Sequence, residues 1–139
     1  MKTKAIELGY IAMSDYTHTT DLNFGMFADE KKVDADETVL TKGTYTLVID
    51  YPLTTTYKQK FTTKGMTRRG LVNLIVKAYH KIYDAEDKDV GKKTGHIEGM
   101  LNRATSAGRY GIWGHDLADL MLATAQVQKS GNITLGVDS

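Results

Sequence analysis

Thr67-Arg68-Arg69-Gly70-Leu71-Val72-Asn73-Leu74-Ile75-Val76-Lys77-Ala78-Tyr79-His80-Lys81-Ile82-Tyr83 is the most regular stretch of the chain, and the architecture turns on it. Leu71, Leu74, Ile75, Ala78, Tyr79, Ile82 and Tyr83 recur so that they fall on one side of a 3.6-residue period. That pattern predicts a helix capped by the Thr67 hydroxyl, which can accept from the free amides of the first turn. Gly70 weakens the first turn by about 1 kcal/mol relative to Ala. The charged run from Asp84 to Asp89 should end the helix. A helix with one apolar face needs a surface to lie on, and the flanking sequence supplies it.

On the N-terminal side, Tyr45, Leu47 and Ile49 alternate with Thr44, Thr46 and Val48, and a second alternating run passes through Thr55, Tyr57, Gln59 and Phe61. Pro52, the only proline, sits between them, where it costs no ladder hydrogen bond. These features predict a hairpin starting near Lys42-Gly43. On the C-terminal side, Thr124, Gln126 and Gln128 alternate with Ala123, Ala125 and Val127, and Ile133, Leu135 and Val137 alternate again after the turn Lys129-Ser130-Gly131-Asn132. A second hairpin follows. His115 to Met121 suits two helical turns, and residues 84–112 read as a long connection with a brief helical stretch near Ile97 to Asn102.

Residues 1–42 read as an irregular N-terminal segment with one strand through Ile6, Leu8, Tyr10, Ile11 and Met13. The expected fold is therefore α+β: an antiparallel sheet from two hairpins, one long amphipathic helix packed on it, and a short second helix. With 139 residues, one domain is expected, in which residues 43–139 run hairpin, helix, loop, helix, hairpin.

Composition narrows the function classes. Eighteen Lys and Arg against seventeen Asp and Glu give a net charge of +1, which does not single out a nucleic acid or a membrane as partner. No Cys is present, so disulfides and thiolate metal sites are excluded. The N-terminus lacks the apolar centre of a signal peptide, and no apolar run reaches the roughly 20 residues of a membrane helix. An intracellular, cytoplasmic location is the expectation. Between Tyr51 and Tyr83 there is no acid, while Lys58, Lys60, Lys64, Arg68, Arg69, Lys77 and Lys81 all fall there. Such a face could bind nucleic acid or a phosphorylated ligand. It could instead meet the acidic segments of its own chain, which the near-zero net charge favours.

Familiar catalytic patterns are missing. Gly91-Lys92-Lys93-Thr94 resembles the end of a phosphate-binding loop, but Glu86 stands where the first glycine would be needed. His80, His96 and His115 have no partner at helical metal-ligand spacing, so no metal site and no cofactor is expected. The segment Gly108-Arg109-Tyr110-Gly111-Ile112-Trp113-Gly114-His115-Asp116-Leu117 is the best candidate site. It holds the only Trp, and its glycines permit close approach of the backbone. A helix opening at His115-Asp116 would present free amides to an anion, and Arg109 could add a bidentate donor. The residues expected to bind are Arg103, Arg109, Trp113, His115 and Asp116.

Lys64-Gly65-Met66-Thr67-Arg68-Arg69 with Tyr79-His80-Lys81-Ile82-Tyr83, and Tyr110-Gly111-Ile112-Trp113-Gly114-His115-Asp116-Leu117 with the closing hairpin, form two blocks covering about half the chain. Together they resemble a small set of uncharacterised proteins from viruses and microbes, which carries no activity to transfer. The functional expectation is a non-enzymatic binding or interaction domain, in that resemblance a viral or microbial accessory protein. Its partner would be a small anionic ligand or another protein, with nucleic acid and membrane not expected. The alternative is a small enzyme acting on a phosphorylated or nucleotide-like ligand, with His115 and Asp116 catalytic beside Arg103 and Arg109. A third reading is a structural subunit that forms homo-oligomers through its sheet edges.

Overall fold

The structure, a computed structural model, describes residues 3–14, 34–90, 108–112 and 117–138. Among these residues, five strands and one α-helix follow in the order β1 (Lys4–Ala12), β2 (Thr38–Ile49), β3 (Tyr57–Thr67), α1 (Arg68–Val90), β4 (Met121–Val127) and β5 (Asn132–Asp138). The strands form one sheet in the order β1-β4-β5-β2-β3. Both expected hairpins are present, β2–β3 and β4–β5, each antiparallel. The fold is α+β, as expected, but the sheet is mixed rather than antiparallel. β5 lies parallel to β2, pairing Thr46 with Asn132 and Leu47 with Ile133, and β4 turns outward to pair antiparallel with β1. Alternation identifies strands and their inward faces; it carries no information on which strand becomes whose neighbour.

The helix forms where its period requires. Leu71, Val72, Ile75, Val76, Ala78, Tyr79, Ile82 and Tyr83 are buried against the core face of the sheet, where Ile6, Leu47, Ile49, Leu122, Ala125 and Ile133 are also buried. Leu74 is only half-buried, at the margin of that face. Ile75→Ala should therefore cost about 2–5 kcal/mol, and Leu74→Ala about 1 kcal/mol, in denaturant melts. Equal losses at the two positions would mean that the helix presents a different face.

The start of α1 is tied down by backbone and side chain together. The Gly70 amide donates to the Thr67 hydroxyl at 3.1 Å, which is the expected cap. The amides of Arg68 and Arg69 donate to the carbonyls of Glu37 and Ala35, each at 2.8 Å. Four boundaries differ from the sequence reading. β2 begins at Thr38, inside the segment expected to be irregular, and β3 runs unbroken through Lys64-Gly65 to Thr67 because Gly65 pairs with Thr41. The helix continues through the charged run to Val90. The short second helix is, in the described residues, a single 3-10 turn, Leu117–Asp119, and Met121 already belongs to β4. The helical stretch expected near Ile97 to Asn102 lies outside the described residues.

In β1 the alternation changes phase between Leu8 and Ile11, both buried. Gly9 and Tyr10 take positive φ, 94° and 60°, and the register with β4 shifts between Glu7 and Ile11. The bulge turns Ile11 and Met13 back toward the core after Ile6 and Leu8.

Candidate functional site

The last turns of α1 and the loop at 108–112 form one unit. Glu86 is fully buried, four residues after buried Ile82 and on the same stripe of the helix. Its carboxylate accepts the amides of Gly108 (2.9 Å), Tyr110 (2.9 Å) and Gly111 (3.2 Å). Gly108 is required by that approach, because a Cβ there would lie 2.5 Å from the Glu86 carboxyl. Gly111 takes a φ of 60°, in the left-handed region. The loop is fixed from its other side as well. Thr54 donates its hydroxyl to the Gly111 carbonyl at 2.8 Å, and the Thr55 amide reaches the Tyr110 carbonyl at 3.0 Å. Ile112 is buried and forms a bridge with Leu53.

Successive amides converging on one point form the kind of nest that binds anions. Here the anion is the protein's own carboxylate. The glycine-rich segment does gather backbone donors, as its composition suggests, but Glu86 occupies those of Gly108, Tyr110 and Gly111.

Arg109 points outward from the same loop, with its side chain 60% exposed. Nε and Nη2 donate to the two carboxylate oxygens of Asp89 at 2.8 and 2.9 Å, and the Arg109 amide donates to Asp89 at 2.9 Å. These hydrogen bonds hold the Asp89 carboxyl well below the usual carboxylate range and raise the Arg109 guanidinium in turn. The pairing leaves Nη1 without a partner among the described residues.

Arg109 closes one end of a groove along the outer side of α1. Lys77, His80, Lys81, Asp84, Ala85 and Lys88 line the rest, around a cavity of about 530 Å³. Their spacing puts them along one stripe of the helix, opposite the face that meets the sheet. The His80 Nε2–H donates to the Met13 carbonyl at 2.9 Å; a carbonyl only accepts, so Nε2 carries the hydrogen. Lys77, Lys81 and Lys88 have no carboxylate partner among the described residues, and Asp84 is the one acid among the lining residues, with Asp89 paired to Arg109 beside them.

Of the residues expected to bind, the structure places Arg109. Arg103, Trp113, His115 and Asp116 lie outside the described residues. The basic stretch from Lys58 to Lys81 does not make a single surface. Arg68 is buried, donating through Nε to the Glu7 carbonyl at 2.8 Å and through Nη1 to Glu37 at 3.2 Å and to the Asp34 carbonyl. Arg69 pairs with Asp36 at 3.4 Å. Both arginines thus meet acids of the segment before β2, the pairing that the near-zero net charge favours. Lys58 and Lys60 alternate with Tyr57 and Phe61, which pack on the core, and so they leave the sheet on the side away from α1.

Two features were missed in the sequence: Glu86 as the anchor of the loop, and the lysine stripe of α1. The stripe was visible, since Lys77, Lys81 and Lys88 all lie off the apolar face. Glu86 was hidden by its charged neighbours, although it sits four residues after Ile82. Among the described residues no group of three or more His, Asp and Glu could hold a metal ion. No described helix is long and apolar enough to cross a membrane. In comparisons with known proteins, no family model, no curated protein and no solved structure matches this chain.

Proposed function

We propose that the protein is a non-enzymatic binding domain whose ligand is a small polyanion, held in the groove between α1 and Arg109. The observation that carries this reading is the convergence of Lys77, Lys81, Lys88 and Arg109 on one cavity, against a single lining acid. Its volume, about 530 Å³, falls in the range of small-molecule sites. The lysine ammoniums are mobile point charges, and the Asp89 pairing fixes the direction of the Arg109 fork, so a phosphate-like anion would meet both kinds of donor.

A binding role fits better than a catalytic one for the residues that line the groove. Its one imidazole has Nε2 committed to a main-chain carbonyl, and the groove residues include no hydroxyl or thiol for it to activate. Nucleic acid fits poorly because the cations are divided between opposite sides of the molecule rather than ranged along one track. Assembly through sheet edges finds little support at β3, which carries exposed Lys58, Lys60 and Lys64, the kind of residue that discourages strand addition.

Calorimetric titration with inorganic pyrophosphate at low ionic strength tests this function. Wild-type protein should bind, and binding should weaken as salt is added. The double variant Lys77→Glu, Lys81→Glu should lose it with little change in melting temperature, since both side chains are exposed. Equal heats from the variant and the wild type would refute the proposal.

A further inference from the structure

The charges of the α1 groove are ordered along the helix, and their order selects the anion that fits. Lys77 and Lys81 stand one turn apart, Asp84 follows within the next turn, and Lys88 lies one turn beyond it. Spacings of four, three and four residues keep these side chains on one stripe. The groove therefore runs positive, negative, positive. From the midpoint of Lys77 and Lys81 to Lys88 is about 13 Å along the helix axis. Flexible lysine stems let the ammoniums close on a somewhat shorter ligand.

The two ends differ in charge. Lys77 and Lys81 have no carboxylate partner among the described residues, so their end offers two full charges. At the other end both oxygens of Asp89 accept from Arg109, which leaves one net positive charge among Lys88, Arg109 and Asp89. A phosphate monoester carries about −1.5 to −2 at neutral pH and suits the first end. A carboxylate, with a single charge, suits the second. The middle of the groove repels anions. An ionised Asp84 can only accept hydrogen bonds, and the neutral His80 ring has its one N–H committed to the Met13 carbonyl. A ligand segment lying there must bring uncharged donors of its own, and hydroxyl groups are such donors.

We infer, given that the α1 groove binds a small polyanion, that its ligand is a phosphorylated sugar acid. The phosphate lies between Lys77 and Lys81, and the carboxylate meets Lys88 and Arg109. The hydroxylated carbons between them donate to Asp84. The acid in the middle of a cationic groove thereby becomes the group that distinguishes a polyol from any other chain with anionic ends.

Calorimetric titration with phosphogluconate, a six-carbon chain with phosphate and carboxylate at opposite ends, tests this beside two controls. Phosphooxyhexanoate has the same charged groups without the hydroxyls, and glucose phosphate lacks the carboxylate. Wild-type protein should bind phosphogluconate about tenfold more tightly than phosphooxyhexanoate, the scale of a hydrogen bond to a charged group. Asp84→Ala should abolish that preference and should bind phosphooxyhexanoate more tightly than the wild type does, because a repelling charge is gone. Lys88→Gln should weaken phosphogluconate several-fold and leave glucose phosphate as in the wild type. Phosphogluconate bound no tighter than phosphooxyhexanoate, an unchanged preference in Asp84→Ala, or equal losses for phosphogluconate and glucose phosphate in Lys88→Gln would each overturn the inference. If pyrophosphate still binds in those cases, the groove remains an anion site without this selectivity. If neither pyrophosphate nor phosphogluconate binds the wild type, the proposed function falls together with the inference.

Discussion

Glu86→Ala should destabilise the protein by about 3–5 kcal/mol, more than the loss of a typical surface acid by an order of magnitude. The side chain is fully buried and is the shared acceptor for the amides of Gly108, Tyr110 and Gly111. Truncation leaves those donors without their acceptor and opens a space that water must fill or the loop must collapse into. Glu86→Gln should cost less, about 2 kcal/mol, because one oxygen still accepts while the new NH₂ faces donors. Gly108→Ala should damage the same unit from the other side, since its Cβ would collide with the carboxyl. Thermal melts of the three variants check this. A Glu86→Ala protein that melts with the wild type would mean that the loop is not held by this carboxylate.

Arg68→Ala is expected to be of similar size, about 3–5 kcal/mol. Its side chain is 9% exposed, and it joins three parts of the chain: the Glu7 carbonyl of β1, the Asp34 carbonyl, and the Glu37 carboxylate. Removing it leaves the Glu7 and Asp34 carbonyls without this donor and detaches the turn that caps α1. Arg68→Lys should recover only part of the loss, because one ammonium cannot reproduce a planar fork directed at several acceptors. Arg69→Ala, at a half-buried side chain paired with exposed Asp36, should cost no more than about 1 kcal/mol. Chemical denaturation of the three variants separates these effects; equal, small losses at both arginines would place Arg68 on the surface after all.

The contrast between Arg68 and Arg69 shows where sequence reading reaches its limit. Both lie in the same basic stretch, and only the packing of the segment before β2 decides that one is buried and the other is not. The helix was legible because Leu71, Ile75, Ala78 and Ile82 repeat with its period. The two hairpins were legible because Tyr45, Leu47 and Ile49, and later Ile133, alternate. The end of the helix was not, because Asp84-Ala85-Glu86-Asp87-Lys88-Asp89 has the composition of a solvated terminus. What keeps it helical is distant in sequence: the loop amides on Glu86 and the guanidinium of Arg109 on Asp89. β1 was recognised by its apolar residues, but its bulge at Gly9 and Tyr10 breaks the simple period that would have fixed its faces. The parallel junction of β2 with β5 depends on strand order, which no local pattern encodes. Of the candidate site, the glycines of the loop stood out in the sequence, while Glu86, noted only as the residue that breaks a phosphate-binding pattern, gave no sign that it would occupy the loop's amides.

Mapping of backbone amide shifts by NMR as pyrophosphate is added tests the proposed function most directly. If the α1 groove is the binding site, the shifts should concentrate in residues 77–88 and at Arg109, with saturation, and leave the amides of β2 in place. Absence of any saturable shift at millimolar pyrophosphate, or shifts that spare α1 altogether, would contradict it.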